Sequence, residues 1–299
     1  MKKITGLVAA TYNPMHPDQS LAPEKIGELV DYAVSRNFAG LFVNGSTGEF
    51  TSLTTRERQI CAEAYLESAR GRLPVILNIA SCSIEELRIL AEHGLKHDPD
   101  AFCLMMPFYF KPADAREFAD FVKEAAKFCG GKPLFLYHVP NLSGNCFSLP
   151  EFLKIMLDEV PSFAGVKYTG SDLFEFRQCA TLSPRLQMFY GRDEMLLGAL
   201  AMGAEAAIGT TFNYLPRVYR GVIDAFQANE MDRARELMDI SRRAVLVARQ
   251  FGISSLKLFM KFAGLDIGPM RTPCNRIMPE QEKAFAEAVK NADLEQYLG

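Results

Sequence analysis

Lys167 closes the short apolar segment 163–168, in which it is the only charged residue. A lysine in such a position is partly removed from water, and desolvation makes it easier for an ammonium group to lose its proton. The neutral amine is a nucleophile that can form a Schiff base with a ketone. A lysine at a strand end could equally extend its head group into solvent and take no part in chemistry. The residues that accompany Lys167 therefore decide between the two interpretations.

Other polar residues that could do chemistry follow apolar runs elsewhere in the chain. Tyr137 could relay protons, or it could be a core tyrosine whose hydroxyl is satisfied. Asp193 and Glu194 could accept hydrogen bonds from sugar hydroxyls, or they could form the acidic first turn of a helix. His138 follows Tyr137 directly and is given no role, because neighbouring strand residues point to opposite sides.

Residues 45–49 read Gly-Ser-Thr-Gly-Glu and follow another apolar run. A turn of this composition would present backbone N–H groups and the hydroxyls of Ser46 and Thr47, which suit a carboxylate ligand. Ser46 and Glu49 also have the spacing of a helix capping box, in which case the glycines would only form a turn. The motif alone leaves both interpretations open.

Eight apolar runs alternate with segments that have helical features, and most runs are continuous, as is typical of parallel strands covered on both faces. Helix starts are predicted where Thr54, Ser83 and Ser148 each precede a glutamate by three positions. Helical periodicity indicates a buried face formed by Ile26, Leu29, Val30 and Ala33, and a later one that includes Ile60, Ala64 and Leu66. The predicted strands are 4–10, 39–44, 74–79, 101–106, 133–138, 163–168, 187–191 and 205–209.

This alternation predicts an α/β fold, a (β/α)8 TIM barrel, in preference to a doubly wound sheet. Helices are predicted after the eighth strand at 215–228, 230–250, 252–263 and 279–291. We therefore expect a barrel over residues 1–228 and a C-terminal helical extension over 229–299, packed on the barrel. In such barrels catalytic residues lie at the C-terminal ends of the strands. A lysine, a tyrosine and a hydroxyl-lined anion site on that rim together indicate Schiff-base chemistry on a keto acid.

The overall composition excludes several classes of protein. The net charge of −3 gives no electrostatic argument for nucleic acid or an anionic membrane as a partner. No stretch approaches the roughly 18 apolar residues of a membrane span, and no signal peptide is recognised. The seven cysteines are scattered without a Cys-x-x-Cys pair, which favours reduced thiols and a cytoplasmic protein. His93 and His97 have helical spacing that could place two metal ligands on one face, but a cationic helix cap is favoured, so no metal site is predicted.

The chain resembles the dihydrodipicolinate synthase / N-acetylneuraminate lyase family of pyruvate-dependent class I aldolases. The resemblance covers essentially the whole chain and rests on residues 45–49 together with Gly165-Val166-Lys167. Within the family, residues 137–144 resemble the sialic-acid-cleaving branch, because they lack the arginine with which dihydrodipicolinate synthases usually hold a second carboxylate. One departure is Thr210, where serine is common.

The resemblance implies that Lys167 forms the Schiff base, that Tyr137 relays protons, and that Ser46 and Thr47 hold the substrate carboxylate. It implies no metal and no organic cofactor. It also implies a homotetramer in which Tyr109 reaches a neighbouring subunit's site. The polyhydroxylated tail of the substrate would be bound by Thr169, Gly191, Asp193, Glu194 and Thr210.

The expected reaction is reversible cleavage of sialic acid (N-acetylneuraminate) to pyruvate and N-acetylmannosamine. Leu142 and its neighbours offer no cation for a second carboxylate, whereas Asp193 and Glu194 would suit hydroxyl groups. One alternative is an aldolase or dehydratase that acts on 2-keto-3-deoxy sugar acids. Another is a catalytically silent sugar-binding barrel, against which the Lys167–Tyr137 pair argues.

Overall fold

A computed structural model describes residues 2–144 and 147–299. Eight parallel strands form a closed barrel in chain order, in which β1 pairs with both β2 and β8. The predicted (β/α)8 architecture is confirmed, and the predicted strand ends are off by at most two residues. The strands are β1 (Gly6–Ala10), β2 (Gly40–Val43), β3 (Val75–Asn78), β4 (Ala101–Met105), β5 (Leu134–His138), β6 (Phe163–Tyr168), β7 (Gln187–Tyr190) and β8 (Ala206–Gly209).

Helices surround this barrel, and their predicted starts are confirmed. The side chains of Thr54, Ser83 and Ser148 each accept a hydrogen bond from the amide of the glutamate three positions later. The helices up to the one that follows β8 are α1 (Ile26–Ser35), α2 (Thr55–Ala69), α3 (Ile84–Leu95), α4 (Ala115–Lys127), α5 (Pro140–Ser143), α6 (Leu149–Glu159), α7 (Leu173–Ala180), α8 (Leu196–Ala201) and α9 (Pro216–Gln227).

Three further helices follow α9, as the sequence predicts. They are α10 (Met231–Phe251), α11 (Ser255–Phe262) and α12 (Pro279–Asn291). Short 3-10 turns occur at Pro23–Lys25, Phe50–Ser52, Asp193–Met195, Thr211–Asn213 and Glu295–Tyr297. Among the described residues, no helix is both long and apolar enough to cross a membrane.

The apolar strands supply two separate layers of side chains. One layer fills the barrel and includes Phe42, Phe135 and Phe189. The other, larger layer lies between the barrel and the helices. Both layers come from the same strands because successive residues point to opposite faces. This explains why the strands read as continuous apolar runs.

The predicted buried face of α1 is confirmed, whereas that of α2 is wrong in part. All four residues predicted for α1 are buried. In α2, Ile60 and Ala64 are only half-buried, and the helix turns a different face inward that includes Arg58. The guanidinium of Arg58 donates hydrogen bonds to the carbonyl oxygens of Asn78 and Ala80, at 3.0 and 2.8 Å. Paired in this way, a charged residue can take an interior position that its type does not suggest.

Candidate active site

Strand β6 carries a β-bulge three residues before Lys167. Leu134 of β5 pairs with Phe163, whereas the next residue, Phe135, pairs with Gly165. Ala164 is therefore an extra residue in β6. A bulge of this kind changes the direction of the side chains that follow it.

The bulge determines that Lys167 points into the barrel. Phe163 and Val166 both contribute to the outer apolar layer although they are three positions apart, and Lys167 then points inward. Strict alternation from Phe163 would have placed Lys167 on the outer face with it. The backbone of β6 at Gly165 approaches β7 so closely that a Cβ atom there would lie 1.9 Å from the carbonyl oxygen of Gln187. Only glycine fits this position.

Lys167 lies opposite Tyr137 across the β5–β6 pair, and both side chains are inside the barrel. The side chain of Lys167 is 4% exposed. Its Nζ atom lies 4.0 Å from the ring centroid of Phe42 and 4.0 Å from that of Tyr137. The Tyr137 hydroxyl lies 3.3 Å from Oγ of Ser46, within hydrogen-bond distance. The structure thus brings together the predicted nucleophile, proton relay and one anion-binding hydroxyl.

The turn formed by residues 45–49 leaves two backbone donors free. The amide of Gly48 donates to the carbonyl oxygen of Gly45, and the amide of Glu49 donates to that of Ser46. Within the described part of the chain, the amides of Ser46 and Thr47 have no acceptor. Two adjacent N–H groups beside the Ser46 hydroxyl form the kind of concave donor arrangement that binds carboxylates.

Glu49 at the end of this turn forms a buried ion pair, so the capping-box interpretation of Ser46 and Glu49 is wrong. Its Oε1 atom lies 2.8 Å from Nζ of Lys257 on α11, and both side chains are almost fully buried. The other carboxylate oxygen accepts a hydrogen bond of 2.7 Å from the amide of Arg271. Burial lowers the pKa of Lys257, and the charge of Glu49 opposes that effect. The sequence analysis missed Lys257, although it stands in an apolar segment as Lys167 does.

Lys257 ties the turn to two other segments at the same time. Its ammonium group also donates to the carbonyl oxygens of Asn13 and Pro269, each at 2.9 Å. The side-chain amide of Asn13 in turn donates to the carbonyl oxygen of Gly48, at 2.7 Å. The turn formed by residues 45–49 is therefore held both by the loop after β1 and by the C-terminal helices.

Asp193 lies at the start of the turn after β7 and is buried. Its Oδ2 atom accepts two hydrogen bonds of 2.7 Å from Thr211, one from the amide and one from the hydroxyl. Burial raises the pKa of Asp193 to about 6, although the hydrogen bonds from Thr211 act in the opposite direction. Oδ2 of Asp193 is thus hydrogen-bonded to the turn after β8.

Three other predicted residues lie on the same part of the rim. Oγ1 of Thr169 is buried and has no hydrogen-bond partner among the described residues. It lies so close to Gly191 that a Cβ atom there would be 2.4 Å away. Thr210 directs its hydroxyl to that of Thr47, at 2.6 Å. The extra methyl group of threonine, relative to the serine that is common in the family, therefore leaves the hydroxyl pointing toward the turn formed by residues 45–49.

Glu194 has two cationic neighbours that the sequence analysis did not foresee. Its Oε1 atom lies 3.4 Å from Nε of Arg192 and 3.7 Å from Nη2 of Arg249 on α10. The rim beside Glu194 is therefore not purely acidic. The absence of a cation at Leu142 is consequently weaker evidence against a second carboxylate than the sequence suggested.

Tyr109 points away from the interior. Its side chain is 77% exposed, and its ring packs edge to face against the exposed Phe110.

Two cavities flank the rim. One of about 260 Å³ lies beside Ser46 and is bordered by Phe108 and Leu142. The other, of about 410 Å³, lies beside Glu194 and Thr210.

The sequence model of the dihydrodipicolinate synthetase family matches residues 3–292. This chain belongs to that family. Among its curated relatives, the N-acetylneuraminate lyase of Danio rerio is 33% identical over 298 residues, which cover 97% of each chain. The human N-acetylneuraminate lyase is also 33% identical, over 98% of this chain and 93% of the relative. Among solved structures, the N-acetylneuraminate lyase of Proteus mirabilis matches with a TM-score of 0.95 and 27% identity, over 98% of this chain and all of the other.

Membership of the dihydrodipicolinate synthetase family confirms the resemblance on which the sequence analysis relied. The relatives match at nearly full length, so the family fold includes the helices that follow β8 as well as the barrel. Within the barrel, Tyr137 contacts both Lys167 and Ser46, and the hydroxyl of Thr47 beside Ser46 contacts that of Thr210.

Proposed function

We propose that this chain is a class I aldolase that cleaves N-acetylneuraminate reversibly to pyruvate and N-acetylmannosamine. The observation that carries the proposal is the buried amine of Lys167, 4.0 Å from the ring of Tyr137, whose hydroxyl lies 3.3 Å from Ser46. The curated relatives that carry the name N-acetylneuraminate lyase support this choice of substrate.

Binding begins with the carboxylate of the open-chain keto sugar acid. The free amides of Ser46 and Thr47 and the Ser46 hydroxyl donate hydrogen bonds to it. This anchoring places the adjacent ketone carbon over Nζ of Lys167. Holding nucleophile and ketone together in this way replaces an encounter in solution by a step within one complex.

Lys167 then attacks the ketone, and loss of water leaves a protonated imine. The imine accepts the electron pair of the C3–C4 bond when the C4 hydroxyl loses its proton, so that N-acetylmannosamine departs as an aldehyde. An enamine of pyruvate remains on Lys167. Tyr137 relays the protons between the C4 hydroxyl, the carboxylate end of the substrate and the enamine carbon. Protonation of the enamine carbon and hydrolysis of the imine release pyruvate.

The polyhydroxylated tail extends along the rim toward β7 and β8. The other oxygen of Asp193 and the carboxylate of Glu194 accept hydrogen bonds from the hydroxyls of the tail. The unpaired hydroxyl of Thr169 can donate one to the tail or accept one from it. Gly191 leaves room for the tail because it has no side chain, and Thr210 adjoins both the tail and the turn. The cavity of about 410 Å³ beside Glu194 supports this direction.

We further propose that the protein is cytoplasmic and assembles as a homotetramer. The exposed residues Phe108, Tyr109 and Phe110 form an apolar tip that a neighbouring subunit would cover, with Tyr109 at the neighbour's site. The described cysteines are unpaired, which suits a reducing compartment. Cys146 lies outside the described residues. Sedimentation velocity on the wild-type protein and on Tyr109→Ser tests the assembly, and a monomeric wild type would refute it.

Trapping with borohydride tests the Schiff base directly. Incubation with pyruvate and sodium borohydride, followed by peptide mass spectrometry, should place the reduced adduct on Lys167. Lys257 is an internal control, because it is also buried but pairs with Glu49. An adduct on Lys257 alone, or no adduct, would contradict the mechanism. Lys167→Ala should abolish turnover and keep the fold.

The choice of substrate is tested by pyruvate release from a panel of sialic acids and 2-keto-3-deoxy sugar acids. Release should be faster from N-acetylneuraminate than from a short keto-deoxy acid, since only the longer substrate reaches Glu194. The reverse order would favour the alternative aldolase or dehydratase. The same panel should include condensation of pyruvate with aspartate semialdehyde, because Arg249 adjoins the rim; no product is expected.

A further inference from the structure

A cluster of two histidines and a carboxylate lies on the outside of the barrel, where Glu63 is on α2, His93 is in the last turn of α3 and His97 follows the end of α3. Nε2 of His93 lies 2.8 Å from Oε1 of Glu63, and Nε2 of His97 lies 3.9 Å from the same oxygen. One ligand atom from each of the three residues lies within 4.8 Å of the others. The cluster has no part in the proposed aldolase reaction.

The sequence spacing of His93 and His97 suggested a helix cap, but the structure directs both rings to α2. The two rings lie 4.9 Å apart, centroid to centroid, and both are more than three-quarters buried. Only His93 is close enough to Glu63 for a hydrogen bond. Nε2 of His97 therefore faces Oε1 of Glu63 without a hydrogen bond to it. A cation between that oxygen and the Nε2 atoms of the two histidines would satisfy all three atoms.

We propose that Glu63, His93 and His97 bind one Zn²⁺ ion that joins α2 to the C-terminal end of α3 and the turn after it. Two imidazole nitrogens and one carboxylate oxygen are a donor set that zinc takes in proteins, usually with water in a fourth position. Bond lengths of about 2.0–2.2 Å to zinc require the ligand atoms to lie about 3.3 Å apart, so a small rotation of His97 completes the site. Neutral imidazoles also favour zinc over magnesium or calcium, which prefer oxygen ligands.

One cation competes with the metal for Glu63. Nη1 of Arg56, on the same helix, lies 3.7 Å from Oε1, and its side chain is mostly exposed. An exposed arginine can leave without a burial penalty, so it weakens metal binding without preventing it. Removal of this charge should strengthen binding of a metal, whereas it would have little effect on a plain histidine–carboxylate hydrogen bond.

Binding is measured by titration calorimetry with zinc chloride on tag-free, chelator-treated protein. The Cys82→Ser variant serves as the background, because Cys82 is an exposed thiol that could also bind zinc. One zinc ion per chain should bind, and the melting temperature should rise with zinc concentration, since a ligand of the folded state stabilises it by mass action. Cobalt bound in place of zinc should give the visible absorption of a four-coordinate ion.

Variants in this background then locate the ion. His97→Ala should weaken binding by more than the roughly 10- to 100-fold that loss of an outer-shell partner causes, and should remove the cobalt spectrum. His16→Ala is the matched control, because His16 pairs with Glu24 at 3.4 Å without a third ligand; its affinity should equal that of the background. Arg56→Gln should bind zinc more tightly. Pyruvate release and circular dichroism verify that each variant is folded.

Three results would overturn the proposal. The first is no stoichiometric binding to the background protein. The second is an affinity that His97→Ala leaves unchanged. The third is weaker binding by Arg56→Gln, which would show that the ion lies elsewhere. None of these results bears on the aldolase reaction, because the borohydride adduct at Lys167 does not depend on the cluster.

Discussion

In the proposed mechanism the hydroxyl of Tyr137 moves protons at Lys167. It lies 3.3 Å from Ser46 Oγ, and its ring borders the amine. Tyr137→Phe removes this hydroxyl and little volume, so the fold should survive. Since general acid–base help is typically worth about 10²–10⁴-fold, turnover should fall by that order. Steady-state kinetics would measure it, and an unchanged turnover number would show that Tyr137 only packs.

Ser46→Ala is the matched control for that change. It removes the partner of the Tyr137 hydroxyl but leaves the two turn amides in place. The Michaelis constant for N-acetylneuraminate should rise more than turnover falls, because in the proposed mechanism Ser46 contacts the carboxylate and not the bond that breaks. Equal changes in turnover number and Michaelis constant in the two variants would mean that Tyr137 and Ser46 act as one unit.

Asp193 should make binding of the sugar tail depend on pH. Burial raises the pKa of Asp193 to about 6 from an ordinary value of 3.8, so the folded protein holds this proton more tightly than the unfolded chain does. The resulting stabilisation is complete below about pH 4 and is lost as the pH rises through about 6. The charged acceptor, in contrast, exists only above about pH 6.

The Michaelis constant for N-acetylneuraminate should therefore increase as the pH falls below about 6. Trapping of pyruvate by borohydride should lack this inflection, because pyruvate has no tail to reach Asp193. Asp193→Asn removes the titrating group and should flatten the profile of the Michaelis constant. Thr211, Glu194 and Lys167 all act on the carboxyl group of Asp193. An inflection that persists in Asp193→Asn would show that Asp193 is not its source.

At the scale of the elements, sequence patterns predicted best where one physical effect dominates. The strands are apolar on both faces, so their positions were predictable to within two residues. The buried face of α1 was predictable because its apolar residues recur with helical spacing. The face of α2 was not, because Arg58 takes an interior position by bonding to carbonyl oxygens of another segment. Propensity and periodicity carry no information on such long-range partners.

The bulge in β6 is the element-scale feature that the sequence concealed most fully. Gly165→Ala should destabilise the fold and disable the site, because the new Cβ would collide with the carbonyl oxygen of Gln187. Gly71→Ala is the matched control, since Gly71 also has a positive φ but an added Cβ meets nothing within 4 Å. The control should cost only about 1–2 kcal/mol, the usual penalty for a left-handed residue.

Urea unfolding and borohydride trapping together measure both consequences. Gly165→Ala should lose more stability than Gly71→Ala and should trap pyruvate more slowly at equal folded fraction. Slower trapping is expected because a displaced β6 moves Lys167 away from Tyr137. Equal stability losses in the two variants would mean that β7 adapts to the added methyl group and that the close approach is not a constraint.

At the scale of the whole molecule, the ion pair between Glu49 and Lys257 joins the proposed C-terminal extension, residues 229–299, to the barrel. Lys257→Met leaves the carboxylate of Glu49 buried without its partner, which should cost about 3–5 kcal/mol of unfolding free energy. Adding Glu49→Gln removes the stranded charge and should recover part of that loss. Urea unfolding of both variants checks this, and a double variant less stable than Lys257→Met would contradict it.

The sequence could not reveal this connection or the position of Arg249. Both depend on which C-terminal helix lies against which loop, and apolar periodicity locates helices without stating their neighbours. The sequence did contain a weak sign, because Lys257 interrupts an apolar helical segment. Such a lysine can be exposed, paired or reactive, and the three-dimensional partner decides which.

The contacts that Lys257 and Asn13 make with the turn formed by residues 45–49 also have a consequence for the binding of pyruvate. Coupling between two sites is reciprocal: if the C-terminal helices order the turn and so favour pyruvate, then pyruvate must stabilise those helices by the same free energy. Amide hydrogens of α11 should therefore exchange more slowly with deuterated water when pyruvate is bound, although α11 supplies no group to the ligand. In Lys257→Met this protection should disappear, while protection of β6 around Lys167 remains. Binding of pyruvate at the mouth of the barrel would then be detected as slower amide exchange in α11, which lies near the C-terminal end of the sequence.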